Sequence, residues 1–167
     1  MKQTAQIKKE QLVAEMMAAR RELLDAVSAL PEAEQDTVFV GYWTVKDVLA
    51  HLVGWDYANL EGIEAILAGR LPAFYAHYDP DWRAFNARLV GEFRRGCLAE
   101  SIELAEASHR ALLAVAQAVP ADEFVKDHGV RSPGGRRVTI DMLLSAEATD
   151  ERKHARQIEE FAGRCAS

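Results

Sequence analysis

His51 lies inside the apolar stretch Val45 to Trp55, and His154 follows Asp150 by four residues in a late amphipathic segment. A buried imidazole must hydrogen-bond, titrate or bind a metal, because an unsatisfied polar group in an apolar core costs about 1–3 kcal/mol. Asp150 and His154, one helical turn apart, project from the same face with Cβ atoms about 5–6 Å apart, close enough to share an ion. His51 sits three residues after Val48 and four before Trp55, on the inward-tending side of its own helix. Helical bundles build metal centres from facing helices in this way, and three side-chain ligands leave positions open for water or substrate. Imidazole and carboxylate donors suit zinc, nickel or iron, with zinc and nickel the first expectation. Spacing alone leaves a second reading open, in which His51 is a core-edge histidine bonded to Asp47, one turn back, and Asp150 and Lys153 are plain exposed charges.

Four long helices would have to position these residues. From Thr4 to Leu30 the apolar residues Val13, Met16, Met17, Leu23, Leu24, Val27 and Leu30 recur at three- and four-residue steps, up to Pro31. A linker leads to Trp43-Thr44, where Thr44 is suited to cap a second helix with Asp47 at its N3 position and Trp43 to staple onto Val48. That helix should run to about Ala68, with Val48, Leu52, Trp55, Ile63, Ile66 and Leu67 inward and Gly69 closing it. An aromatic-rich crossover, Leu71 to Phe85, precedes a short helix reaching about Arg95. A third long helix spans about Leu98 to Ala118, and a polar loop, Ala121 to Arg137, carries Ser132-Pro133-Gly134-Gly135.

The last helix, about Thr139 to Ala162, has a stripe of Ile140, Leu144, Glu147, Glu151, His154, Ile158 and Phe161. Its ends are apolar and its middle polar, so the middle should face a polar cavity. Glu147 and Glu151 lie in that polar middle. No strand, internal repeat or low-complexity tract is evident. The economical architecture is all-α: an antiparallel four-helix bundle with a crossover between helices two and three, forming one domain over residues 1–167.

Other residues carry weaker signals. His109, on the inward stripe of the third long helix, could be a ligand or a base, or a satisfied core histidine. Trp55, Tyr75, Tyr78, Trp82 and His109 are the candidate pocket lining, with His77 packing in the crossover. If Tyr75, Tyr78 and Trp82 face solvent they form an interface patch, and a homodimer is expected. Asp47 could orient His51 from behind, although its capping role already explains it.

Composition narrows the class. With 167 residues, 49% apolar and 28% charged, the chain has the make-up of an ordinary globular domain. A net charge of −6 argues against nucleic-acid binding. The basic residues Arg131, Arg136 and Arg137 lie in a loop. The start, Met1 to Glu10, is no secretory signal, and no apolar run reaches the ~20 residues of a membrane span. Cys97 and Cys165 form no CxxC pair. We expect a cytoplasmic protein with no membrane partner.

The segment Gly41-Tyr42-Trp43-Thr44-Val45-Lys46-Asp47-Val48-Leu49-Ala50-His51-Leu52-Val53-Gly54-Trp55-Asp56 closely resembles the helix-two signature of the DinB/YfiT-like superfamily of four-helix bundles. Asp150 to Ile158 looks like the helix-four signature, read there as His or Glu, three residues, His, two residues and Gln-Ile. Trp82 to Arg88 further resembles the ClbS/DfsB branch. The resemblance implies a metal triad of His51, Asp150 and His154, with Asp at the middle position where His or Glu is commonest, and that departure leaves Glu147 and Glu151 as substitute ligands or neighbours of the metal centre. It implies thiol-dependent transfer or isomerisation with a low-molecular-weight thiol, acting on a small electrophile. Arg131, Arg136 and Arg137 would then hold the thiol's carboxylates or the substrate. The branch resemblance implies an alternative, a metal-free self-protection hydrolase that opens a reactive ring. A third reading is a bundle that binds a small molecule without turnover.

Overall fold

The structure, a computed structural model, describes residues 2–165. The chain forms α1 (Lys2–Ser28), α2 (Val45–Leu67), a short α3 (Tyr75–Tyr78), α4 (Trp82–Phe93), α5 (Leu98–Ala118), a short α6 (Ala121–Val125) and α7 (Ile140–Cys165), with one 3-10 turn at Glu32–Glu34. Among the described residues there is no strand, only isolated bridges Val40–Trp43 and Arg131–Arg137. The protein is an all-α bundle framed by α1, α2, α5 and α7.

Local chemistry fixes the ends of α2. Thr44 is extended and its hydroxyl accepts from the Asp47 amide, while the Asp47 carboxylate accepts from the Thr44 amide at 2.8 Å, the reciprocal capping box. At the other end Gly69 has φ +69°, its amide bonds the Ile66 carbonyl, and Arg70 bonds back to Ala65. This six-to-one pattern needs the left-handed conformation that glycine adopts at little cost.

Ion pairs and hydrogen bonds set the helix directions. Lys8 pairs with Asp141 and Arg20 with Glu151, so α1 and α7 run the same way. Lys46 reaches the Gly96 carbonyl just before α5 and Ser108 bonds Asp56, so α2 and α5 are parallel. His51 meets Asp150 while Asn59 meets Glu147, so α2 and α7 are opposed. The antiparallel relation thus holds between the pair α1/α7 and the pair α2/α5. The crossover through α3 and α4 makes this possible by returning the chain to the end where α2 began.

Two apolar cores stack along the bundle. One contains Met16, Ala19, Ile63, Leu112 and Ala148; the other contains Leu23, Val27, Leu49, Leu52, Ala105 and Ile158. Between these positions in sequence, α1, α2, α5 and α7 carry buried Arg20, Asp56, Ser108, His109 and Glu151, with buried Glu147 one turn before Glu151. A polar layer therefore crosses the bundle between the two cores. Met17 and Leu67, which the apolar pattern placed inward, are 44% and 41% exposed. Met16 and Ile66 take the buried positions, since adjacent residues on a helix point about 100° apart. Part of the polar loop after Pro120 is helical, because Phe124 of α6 is fully buried in the first core.

Gly54 is where α4 seats against α2: a Cβ there would lie 2.7 Å from the Leu89 Cβ. That atom is fixed to the α4 backbone and cannot swing away. We expect Gly54→Ala to lower stability by about 1–3 kcal/mol in urea unfolding. Gly91→Ala, on an open face of the same α4, should raise it by up to about 1 kcal/mol through helix propensity.

Candidate metal centre

α2 and α7 bring His51, Asp150 and His154 together. His51 Nε2 lies 3.1 Å and His154 Nε2 3.5 Å from the same Asp150 Oδ2. The two imidazole centroids are 5.3 Å apart at 74°. One ligand atom from each residue lies within 4.8 Å of those of the other two. Both histidines are buried, whereas Asp150 is half-buried and stands at the mouth of the site beside Lys153.

Aromatic rings wall this centre. Trp43 packs over both imidazoles, with centroids 4.8 Å from His51 and 6.2 Å from His154. Trp55 meets His51 edge-on at 6.4 Å and continues into Phe74, Tyr78 and Phe85 at 5.2–5.3 Å. Its indole N–H donates to Asn86, which ties the wall to α4. The result is an apolar surface next to a polar, ion-sized gap.

The charges are consistent with a ligand set. Burial pushes the His51 imidazole below its ordinary value, so it is neutral near pH 7 and one of its two ring nitrogens carries a free lone pair. Burial works against the Asp150 charge, but hydrogen bonds from His154 and His51 outweigh it and hold the carboxylate ionised. The Nδ1 atoms of both histidines are buried without a partner. Two imidazoles and one carboxylate form a donor set that zinc, nickel or iron accepts.

Other expected site residues fall elsewhere. Asp47 binds Thr44 and Arg94, so its role is capping and not orientation of His51. Glu147 accepts from Asn59, and Glu151 from Arg20, which turns both away from the histidine triad. His109 belongs with them, its Nδ1 3.9 Å from Asp56 and from Glu151, not with the aromatic pocket. Tyr75 stacks on Phe74 and Tyr78 meets Trp55 edge-on, both half-buried, so of the expected exposed patch only Trp82 is open, at 49%. His77 is exposed. Arg131 is held by Asp127, while Arg136 and Arg137 are exposed.

Sequence reasoning overlooked Arg20, Asp56, Asn59 and Ser108. Arg20 makes bonds to Asp56, Glu151 and the Ala105 carbonyl; burial opposes its charge, and Asp56 and Glu151 overcome that. The signal was present: Arg20 stands in the stripe Met16, Arg20, Leu23, Val27, and Asp56 in Leu52, Asp56, Asn59, Ile63. A charge at a stripe position is a buried-charge candidate.

Bundle and site together define a helical-bundle protein with a candidate metal centre between α2 and α7. The family model described as the DinB superfamily matches residues 15–158, and the chain belongs to that superfamily. No curated protein and no solved structure matches the chain at a significant level. No helix among the described residues is long and apolar enough to cross a membrane.

Glu147 generates a pH prediction. Burial, then the charges of Asp56 and Glu151, raise its pKa well above the ordinary carboxylate range. As pH rises past about 4.3 the unfolded chain releases this proton and the folded chain does not, so the group lowers stability progressively with rising pH. Glu147→Gln mimics the protonated acid and keeps an oxygen for Asn59. In metal-stripped protein the variant should melt above wild type at pH 8, with the gain shrinking toward pH 5. Each kcal/mol reads as about 2–4 °C in Tm. Glu151 is shifted in the same direction, so the variant flattens the wild-type slope without abolishing it.

Proposed function

We propose that this protein is a divalent-metal-dependent enzyme that brings a nucleophile, first of all a low-molecular-weight thiol, against a small apolar electrophile. The reaction class is S-transfer or a related detoxification. The observation that carries the reading is the convergence of His51 and His154 on one Asp150 oxygen, with the ligand atoms within 4.8 Å, beneath an aromatic wall. A divalent ion held there supplies Lewis acidity, which lowers the pKa of a thiol or water molecule at the site.

The side chains divide the work. His51 and His154 hold the ion from opposed helices, and Asp150, at the mouth, contributes the negative charge. Trp43, Trp55 and Tyr78 exclude water and offer apolar surface to the electrophile. Burial, then the nearby Asp150 charge, raises the Tyr78 phenol, so it stays protonated and can donate a hydrogen bond to substrate. Arg136 and Arg137, exposed on the loop before α7, are the candidates for the thiol's carboxylates. Taking the working unit as a cytoplasmic homodimer, the exposed Trp82 is the natural contact, and sedimentation at micromolar concentration should show the dimer.

One observation favours a second reading. Asp150 already accepts from both imidazoles, and neither Nδ1 has an acceptor of the kind that usually orients a metal-bound histidine. A neutral His51 oriented by Asp150 is also a general base for adding water to a reactive ring.

Elemental analysis of tag-free protein separates the readings. We expect wild type to hold zinc or nickel and His51→Ala/His154→Ala to lose one equivalent per chain, with thiol transfer abolished by a chelator. Hydrolysis that survives chelation but not His51→Ala supports the metal-free hydrolase. Ligand binding without turnover in wild type supports a non-enzymatic bundle.

A further inference from the structure

Arg20 of α1, Asp56 of α2, His109 of α5 and Glu151 of α7 meet at the bundle centre, one side chain from each long helix. All four are at least nine-tenths buried, and Asp56 and Glu151 are completely so. Arg20 bonds both Asp56 oxygens at 3.1 Å and also Glu151 Oε1, and Ser108 donates to Asp56 Oδ2. These contacts leave a remainder. Neither nitrogen of His109 has a partner, and neither has Glu151 Oε2.

His109 Nδ1 lies 3.9 Å from Asp56 Oδ1 and 3.9 Å from Glu151 Oε1. That is too long for a hydrogen bond. It is within the span of two ligands that each stand about 2.0–2.2 Å from one small ion. The three ligand atoms lie within 4.8 Å of one another. We infer that the bundle centre is a second divalent-cation site, formed by Asp56, His109 and Glu151 and distinct from the His51–Asp150–His154 centre.

Charge points the same way. Glu147 is the third buried carboxylate of this layer, and its Oε1 is also without a partner. Were all three carboxylates ionised, they would exceed the one guanidinium by a formal −2 at the bundle centre. Uncompensated charge in an apolar interior is too costly to persist. A divalent cation cancels it in one step and gives His109 a partner; the competing solution is two bound protons with water in the gap. One imidazole with two carboxylates selects a first-row divalent ion such as zinc, manganese or iron over calcium or magnesium. Such an ion would cross-link α2, α5 and α7, with Arg20 of α1 against the same carboxylates.

The test counts zinc after dialysis of metal-stripped, tag-free protein against Zn2+, and reads Tm beside it. We expect two equivalents per chain in wild type and one in His51→Ala/His154→Ala. Adding His109→Ala to that variant should leave none, with His109→Gln as the replacement if the alanine variant misfolds by circular dichroism. At zinc a hundredfold above its Kd, the His51→Ala/His154→Ala variant should melt roughly 5–10 °C higher than without metal, and the His109 variants should not shift. Folded His51→Ala/His154→Ala protein that binds no zinc overturns this site, and protons with water then fill the centre. A wild-type count of only one equivalent, unchanged in His51→Ala/His154→Ala and lost with His109, supports this site while removing the metal-dependent reading of the other.

Discussion

A guanidinium at 3% exposure constrains everything around it. Arg20 bonds Asp56 of α2, Glu151 of α7 and the Ala105 carbonyl of α5, so one side chain is tied to the three other long helices. Removing one partner from a buried ion pair costs about 3–5 kcal/mol, because the other charge is left stranded. Sliding any helix by one residue turns its polar group about 100° away and has the same effect. Arg20 thus fixes helix register in a way the apolar contacts, which tolerate small shifts, do not. The His51–Asp150–His154 cluster inherits that register. His51 lies about 7.5 Å along α2 from Asp56, and His154 about 4.5 Å along α7 from Glu151. Because α2 and α7 are opposed, both displacements point the same way and the two imidazoles meet.

The layered interior explains which parts of the site could be read from sequence. On α7 the polar run Glu147, Glu151, His154 interrupts a stripe whose ends, Ile140 and Leu144, then Ile158 and Phe161, are apolar. A helix that stays in register across such a centre has to bury it, and all three residues are buried. The grouping of His51, Asp150 and His154 came from a histidine within an apolar run together with the resemblance of both helices to the superfamily's signatures, because an acid one turn from a histidine is common on helices and spacing alone left it open. What each polar residue meets was not legible. Arg20 and Asp56 belong to residue types that are mostly exposed. Only the long-range pairing of α1 with α2 and α7 reveals that they neutralise each other. Glu147 and Glu151 therefore looked like spare ligands for His51 and His154, when their partners are Asn59 and Arg20.

The framework was legible wherever the signal was local. The Thr44–Asp47 capping box and the Gly69 stop are short-range patterns, and both ends of α2 lie where those residues put them. The five-residue α6 escaped because its anchor, Phe124, is a single apolar residue in a polar segment with no period to read. Helix direction escaped for a related reason. The crossover through α3 and α4 is long enough to return the chain to either end of the bundle, and only pairings such as Lys8 with Asp141 decide between them.

Adjacent positions on α7 belong to two polar clusters. Asp150 and Glu151 are neighbours in sequence and hence about 100° apart around the helix, so they cannot look into one cavity. Glu151 is consequently no substitute for Asp150 as a partner of His51 and His154. The short Asp150 side chain already stands 3.1 Å from His51 Nε2 and 3.5 Å from His154 Nε2, while both Nδ1 atoms are buried without a hydrogen-bond partner. An ion held through both Nε2 atoms would require each neutral ring to carry its proton on Nδ1, where no acceptor stands. The affinity of such a centre would be set by how far coordination outweighs the contacts with Asp150 and two buried N–H groups, a cost absent where a second shell receives the Nδ1 proton.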